Sequence, residues 1–226
     1  PLGQLVKAFE AKSAEKVKAD LWIAPNKPKV TADVITWMRS LADSWQLDLE
    51  YHLKVSGGLA DQFQIEVPAS WAGPHRVQPA ATVKVVDVPG MATRRLVIKP
   101  RTAVEGEYRL GISGPLKVAA GERPSVVKPV LADAVVARHV LILPVHAQAP
   151  VMSWETHGLA PIPFPNELAV PAAARESFAA YRVTGGEYQA LLRTGEEGQG
   201  KPQVGLTAVR IACHTDGTYH ALASLD

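Results

Sequence analysis

The sequence carries a single cysteine, Cys213, in 226 residues. A disulfide needs two thiols and a structural zinc site needs several Cys or His ligands, so an internal bridge and any multi-cysteine metal centre are excluded. The compartment is not decided by that count, because secreted domains of this size fold without bridges and cytosolic ones normally have none. Long apolar runs are also missing. The tightest, "HVLILPV" at His139 to Val145, falls far short of the roughly 20 residues a spanning helix requires, so membrane insertion is not expected. Excess charge is absent too: 24 Lys and Arg stand against 22 Asp and Glu, and a net charge of +2 does not supply the cationic face that a phosphate backbone demands. Nucleic acid is therefore not an expected partner. The most basic cluster, Arg94, Arg95, Lys99 and Arg101, lies among alternating hydrophobic residues and reads as the wet edge of a strand.

What the sequence does have is alternation. In "LDLEYHLKV", Leu47, Leu49, Tyr51, Leu53 and Val55 share one parity and Asp48, Glu50, His52 and Lys54 the other, the pattern of a half-buried strand. "FQIEV", Phe63 to Val67, repeats it, and a hairpin between the two predicts a loop of odd length that sets Leu53 opposite Phe63 or Ile65. A second hairpin is expected in "YRVTGGEYQALLR", with Gly185-Gly186 opposing Val183 to Tyr188, and a third around Asp216-Gly217. Val83 to Val88, Arg94 to Lys99, Glu107 to Ser113 and Val135 to Leu143 are further strands. The last is apolar on both parities and so is expected to be central. The short spacings leave no room for crossover helices.

The expected fold is thus mainly β: antiparallel β-sandwiches, two of immunoglobulin-like size, with at most one or two short helices. Residues 1–120 are assigned to one β-sandwich and 131–226 to a second β-rich domain. The Pro-containing stretch 121–130 is the linker between them. Within the second half, 144–174 is proline-rich and predicts a long surface connection, with one short strand at Met152 to Thr156. Residues 5–21 and 31–45 admit helix or strand. The Val, Ile, Thr and Trp content of 31–45, and its run into a strand, favour β there.

Chemical motifs fail on context. "TGEEGQGKP", Thr194 to Pro202, has the glycine and lysine spacing of a phosphate loop. However, Pro202 stands where a magnesium-binding hydroxyl is needed, and a strand-like stretch follows in place of a helix. "LGISGPL" lacks the last glycine of a serine nucleophile elbow and runs into Pro115. Cys213 and His220 fall opposite each other if Asp216-Gly217 is a two-residue turn, the one pairing with the makings of a thiol-imidazole couple. Their parity also carries Val209, Ile211 and Leu222, which makes a core role the simpler one. Among the tryptophans, Trp71 in "VPASWAGPHR" sits beside a Gly-Pro turn, where an exposed indole could stack on a sugar or anchor a protein partner; burial in the core is the competing role.

No catalytic residue, cofactor or metal is assigned. The chain begins at Pro1 and its last hairpin runs close to the final residue, so it reads as a segment of a larger exported protein. It is expected to be a non-enzymatic structural spacer or interaction module, with other domains of the parent or protein partners as its contacts. A carbohydrate-binding module is the alternative, and a hydrolase using Cys213 and His220 the third reading. Extracytoplasmic location is the working expectation.

Overall fold

The computed structural model describes residues 26–41, 44–71, 73–88, 90–118, 123–146, 151–166, 168, 170–195, 206–213 and 219–225, with the backbone alone at 172–173, 195, 206–213 and 219–225. In chain order the strands are β1 (Lys29–Leu41), β2 (Ser44–Ala60), β3 (Phe63–Pro68), β4 (Arg76–Gln78), β5 (Ala81–Asp87), β6 (Thr93–Pro100), β7 (Val104–Leu116) and β8 (Val130–Leu131). They continue with β9 (Ala134–Pro144), β10 (Val151–His157), β11 (Leu159–Ile162), the helical turn α1 (Ala172–Arg175), β12 (Phe178–Val183), β13 (Gln189–Gly195), β14 (Leu206–Cys213) and β15 (Tyr219–Leu225). The chain is mainly β with several antiparallel sheets, the class expected of a β-sandwich.

Sheet order is β11-β12-β9-β1-β2-β7-β4 in the larger layer and β5-β6-β3-β8 in the smaller. The alternating residues of β2 explain why these layers close on each other. Leu47, Leu49, Tyr51, Leu53 and Val55 are each at most 2% exposed and share one core with Phe63, Ile65 and Val67 of β3 and Leu96 and Ile98 of β6. Burying each such side chain contributes about 2 kcal/mol. β2 and β3 therefore meet face to face across the sandwich and are not hairpin partners: β2 pairs with β1 and β7, and β3 with β6 and β8. The glycines expected in the loop lie inside β2, where they make room for Asn26. A Cβ on Gly58 would stand 2.3 Å from Asn26 Oδ1. That oxygen accepts from Leu59 N at 2.8 Å, while Asn26 Nδ2 donates to the Leu59 carbonyl at 2.7 Å.

The second expected hairpin is also replaced. β12 pairs with β11 and β9, whereas β13 pairs with β10, so Gly185-Gly186 joins two sheets. β14 and β15 do form an antiparallel ladder, but Cys213 pairs with Tyr219, leaving residues 214–218 between the strands in place of a two-residue turn. Of residues 31–45, 31–41 fall in β1 and 44–45 begin β2, as their composition favoured, while 42–43 and 5–21 lie outside the described set.

β9 has the central place its double apolar parity predicted, but its partner β1 runs parallel to it, with Val34 beside His139 and Thr36 beside Leu141. Leu141 and Leu143 face the sandwich core, while Val140 and Ile142 face outward into a second cluster with Ile35, Leu168 and Ala180. This outer cluster is where the later part of the proline-rich connection goes, whereas Trp154 and Leu159 from its earlier part pack against the sandwich core. The connection carries β10, which contains the expected strand, together with β11 and α1, and its Phe164 and Val170 pack against the outward face of the large sheet. Trp37 holds it with edge-on contacts to Phe178 at 5.1 Å and Phe164 at 6.1 Å.

The large sheet draws β1, β2, β4 and β7 from one side of 121–130 and β9, β11 and β12 from the other. Val127 from within that stretch is 2% exposed and belongs to the core that β2, β3 and β6 share. Leu49→Ala and Leu141→Ala, one from each side, should each destabilise by about 3 kcal/mol and move the same denaturant transition. A second transition left unshifted by Leu141→Ala would show that the halves unfold separately.

Candidate functional site

Buried polar residues are the first place to look for chemistry, because burial shifts their proton affinity. Four lie together on the inner face. Val34 of β1 pairs with both Tyr51 of β2 and His139 of β9, which sets a tyrosine and a histidine on the two sides of one core position. Thr36 follows two residues on, fully buried, and its Oγ1 shares a 2.9 Å hydrogen bond with His139 Nε2. Tyr188 meets the His139 ring edge-on at 5.5 Å, and its hydroxyl donates to the Val127 carbonyl at 3.4 Å. Tyr51 is completely buried, and its hydroxyl has no hydrogen-bond partner among the described residues.

Burial dominates the titration of this group. It lowers the His139 imidazole to about 4 and raises Tyr188 well above its ordinary value; Tyr51 is raised by burial and then by the proximity of Tyr188. At neutral pH all three are uncharged, and His139, whose one side-chain hydrogen bond among the described residues is to Thr36, has no carboxylate to orient it as a base.

A cavity of about 860 Å³ opens beside this cluster, with His139, Tyr188 and Leu131 at its base and Lys128, Arg138 and Arg182 among its lining. A second depression, of about 600 Å³, lies on the outward face of the large sheet between Trp37, Glu50, Arg76 and Arg109. Its floor is low because β7 places Gly111 and Ser113 there. Ser113, the serine of the elbow-like motif, is thus a mid-strand residue opposite Asp48. The Arg39 guanidinium sits 5.3 Å over the Trp37 ring and bonds Asp48 through Nε at 2.6 Å, so the indole face is already covered.

Trp71, the expected stacking residue, is fully buried and donates through Nε1 to the Gly114 carbonyl at 3.1 Å. Its ring packs edge-on against His75 at 4.6 Å, and a Cβ on Gly114 would come within 3.1 Å of Trp71 Nε1, His75 Nδ1 and the Pro74 carbonyl. The Gly-Pro turn therefore folds the indole inward, and Trp71 offers no face to a ligand. Burial, and then Arg94, lower the affinity of His75 for a proton. Trp45 and Trp154 pack against each other edge-on at 6.2 Å, with Trp154 Nε1 donating to the Pro144 carbonyl.

Cys213 and His220 are not register partners: His220 pairs with Ala212 and Cys213 with Tyr219, one step out from the alignment that a two-residue turn requires. The glycine-rich stretch of the phosphate-loop motif lies largely outside the described residues. It joins β13 to β14, both strands. Among the described residues, no group of three or more His, Cys, Asp and Glu is placed to hold a metal ion.

The cluster of Thr36, Tyr51, His139 and Tyr188 escaped the sequence reading. Tyr51 falls on the apolar parity of its strand, and His139 shares parity with Leu141 and Leu143, which is the one signal in the sequence that points it toward the core. No protein-family model matches the chain, and no curated protein matches it in sequence.

Because the folded protein disfavours protonated His139, its contribution to stability is complete above the imidazole's ordinary value and is lost as pH falls toward about 4. The wild type should lose roughly 3 kcal/mol between neutral pH and about pH 4 that His139→Gln does not lose, as read by denaturant titrations at stepped pH. Parallel pH profiles for the two proteins would contradict the burial of a neutral imidazole.

Proposed function

We propose that this chain is a non-enzymatic β-sandwich module of a longer, exported protein, serving as a spacer and protein-interaction surface. The observation that carries the reading is the location of its most perturbed titratable groups. Tyr51 and Tyr188 are core members and His139 lies half-buried beside them, all three uncharged, with His139 tied to Thr36 and Tyr188 to the Val127 carbonyl. The His139–Thr36 and Tyr188–Val127 hydrogen bonds add rigidity, since buried hydrogen bonds favour one packing arrangement. Outside the core, charge is spent in cross-strand pairs such as Arg39 with Asp48, Arg94 with Asp87 and Arg95 with Glu66, which suit a scaffold. The carbohydrate alternative loses its best residue with Trp71 inside the core, and the hydrolase reading loses the opposed pair it needed.

Chromogenic esters, amides, glycosides and phosphate esters incubated with the full chain should show no turnover above buffer. A rate that falls at least about tenfold in His139→Gln or Cys213→Ala, with melting temperature unchanged, would overturn the proposal.

A further inference from the structure

The 600 Å³ depression on the outward face of the large sheet joins three neighbouring strands into one trough. Across it, Gln78 of β4, Gly111 of β7 and Glu50 of β2 are register partners, and so are Arg76, Ser113 and Asp48 in the next outward row. Arg109 stands one outward position from Gly111 in the other direction, beside His52. Successive outward residues on a strand lie about 7 Å apart and neighbouring strands about 4.8 Å, so Arg76 and Arg109 flank one point above Gly111. Gly111 and Ser113, both small, form a floor with charged walls. Among the described residues, a Cβ on Gly111 would meet no atom nearer than the Gln78 carbonyl at 3.7 Å, so packing leaves room for a side chain that is not there. A glycine inside a strand weakens it, and its use often marks the close approach of a ligand.

The carboxylates at the border are already engaged. Asp48 accepts from Arg39 through one oxygen and from Gln46, at 2.9 Å, through the other, while Glu50 Oε1 shares a 2.9 Å hydrogen bond with His52 Nε2. Arg76 and Arg109 are exposed along the same trough, and neither has a hydrogen bond or ion pair among the described residues. Two guanidiniums so placed can converge their donors on one carboxylate. The rest of the lining narrows the ligand. β2 and β7 each have a strand on both sides, so this face offers side chains alone and gives a peptide strand no backbone to pair with. Asp48 and Glu50 repel a dense run of phosphates, and the Trp37 ring, under Arg39, offers no stacking face to a neutral sugar. What fits is one negative charge per unit set among hydroxyls, which both donate and accept and so suit Glu50, Gln78 and Ser113. A smaller hollow of about 250 Å³ shares Gln46, Arg76 and Ser113 with the trough and carries it on toward Trp45 and Pro115, which gives a chain of such units room to continue.

We propose that this trough binds an acidic saccharide, a short run of uronic-acid sugars, with one carboxylate held over Gly111 between Arg76 and Arg109. The inference goes beyond the interaction-module reading: it adds a ligand, calls on neither Trp71 nor the Cys213 and His220 pair, and stands or falls independently of the turnover assays.

The test is isothermal titration calorimetry of the full chain with trimers of galacturonate, glucuronate and mannuronate, alongside neutral galactotriose and triglutamate. At least one uronate trimer should bind saturably, at least about tenfold more tightly than galactotriose or triglutamate, and more weakly as salt rises. Arg76→Gln and Arg109→Gln should each weaken that binding at least about tenfold, and Gly111→Leu, which fills the floor, should abolish it. Lys84→Gln on β5 should leave it unchanged. Circular dichroism and melting temperature confirm that the variants fold. No saturable binding of any uronate trimer, equal affinity for galactotriose or triglutamate, or binding indifferent to both arginine substitutions would each overturn the proposal.

Discussion

The parallel ladder between β1 and β9 is the contact on which the rest of the architecture depends. It joins a strand near residue 30 to one near residue 140, and only that connection makes a single sheet out of the chain's two halves. Its strength comes from burial on both sides. Inward, Ala32, Val34, Met38, Leu141 and Leu143 enter the sandwich core; outward, Ile35, Val140 and Ile142 are covered by the proline-rich connection. A strand buried on both faces needs apolar residues at successive positions, and "VLIL" in β9 supplies them. The first half of β9, "AVVAR", is largely exposed, so the same strand changes from exposed to fully buried along its length.

That change sets the place of the buried polar cluster. His139 sits at the junction, the last residue before the fully buried run and the first beyond the exposed stretch. Below it, a neutral imidazole and two phenols occupy core space that a purely apolar set could fill, and Tyr51 leaves a hydroxyl without a partner among the described residues. A buried polar atom of this kind costs stability, about 1–3 kcal/mol in ordinary cases. Beside it, β12 stops pairing with β9 at Arg182↔Val140, and Thr184 bonds the Gly158 carbonyl instead.

Local structure was legible in the sequence because period-two alternation reports which face of a strand is dry, and it does so without reference to partners. Leu47 to Val55, Arg94 to Lys99 and Glu107 to Ser113 were found on that basis, and so was the mainly β class. Pairing was not legible. A strand's apolar face has the same pattern whether its counterpart lies alongside or across a 10 Å gap, so β2 and β3 looked like a hairpin when they are opposed layers. Glycine pairs misled for a related reason. Gly57-Gly58 and Gly185-Gly186 resemble turns, but Gly58 is needed for the approach of Asn26, and the second pair lies where the chain passes between sheets. Trp71 was read from its neighbours in sequence, and the residue that decides its burial, Gly114, is distant along the chain.

The central claim is the β1–β9 register, and a cross-link measures it most directly. Thr31 and Val135 are partners in that ladder and both are exposed. With Cys213 replaced by serine, cysteines at 31 and 135 should oxidise to an intramolecular disulfide in the folded monomer and raise the temperature of a single unfolding transition. Free thiols or only intermolecular bridges under the same conditions, in a protein that melts as wild type does, would contradict the ladder and with it the joining of the two halves.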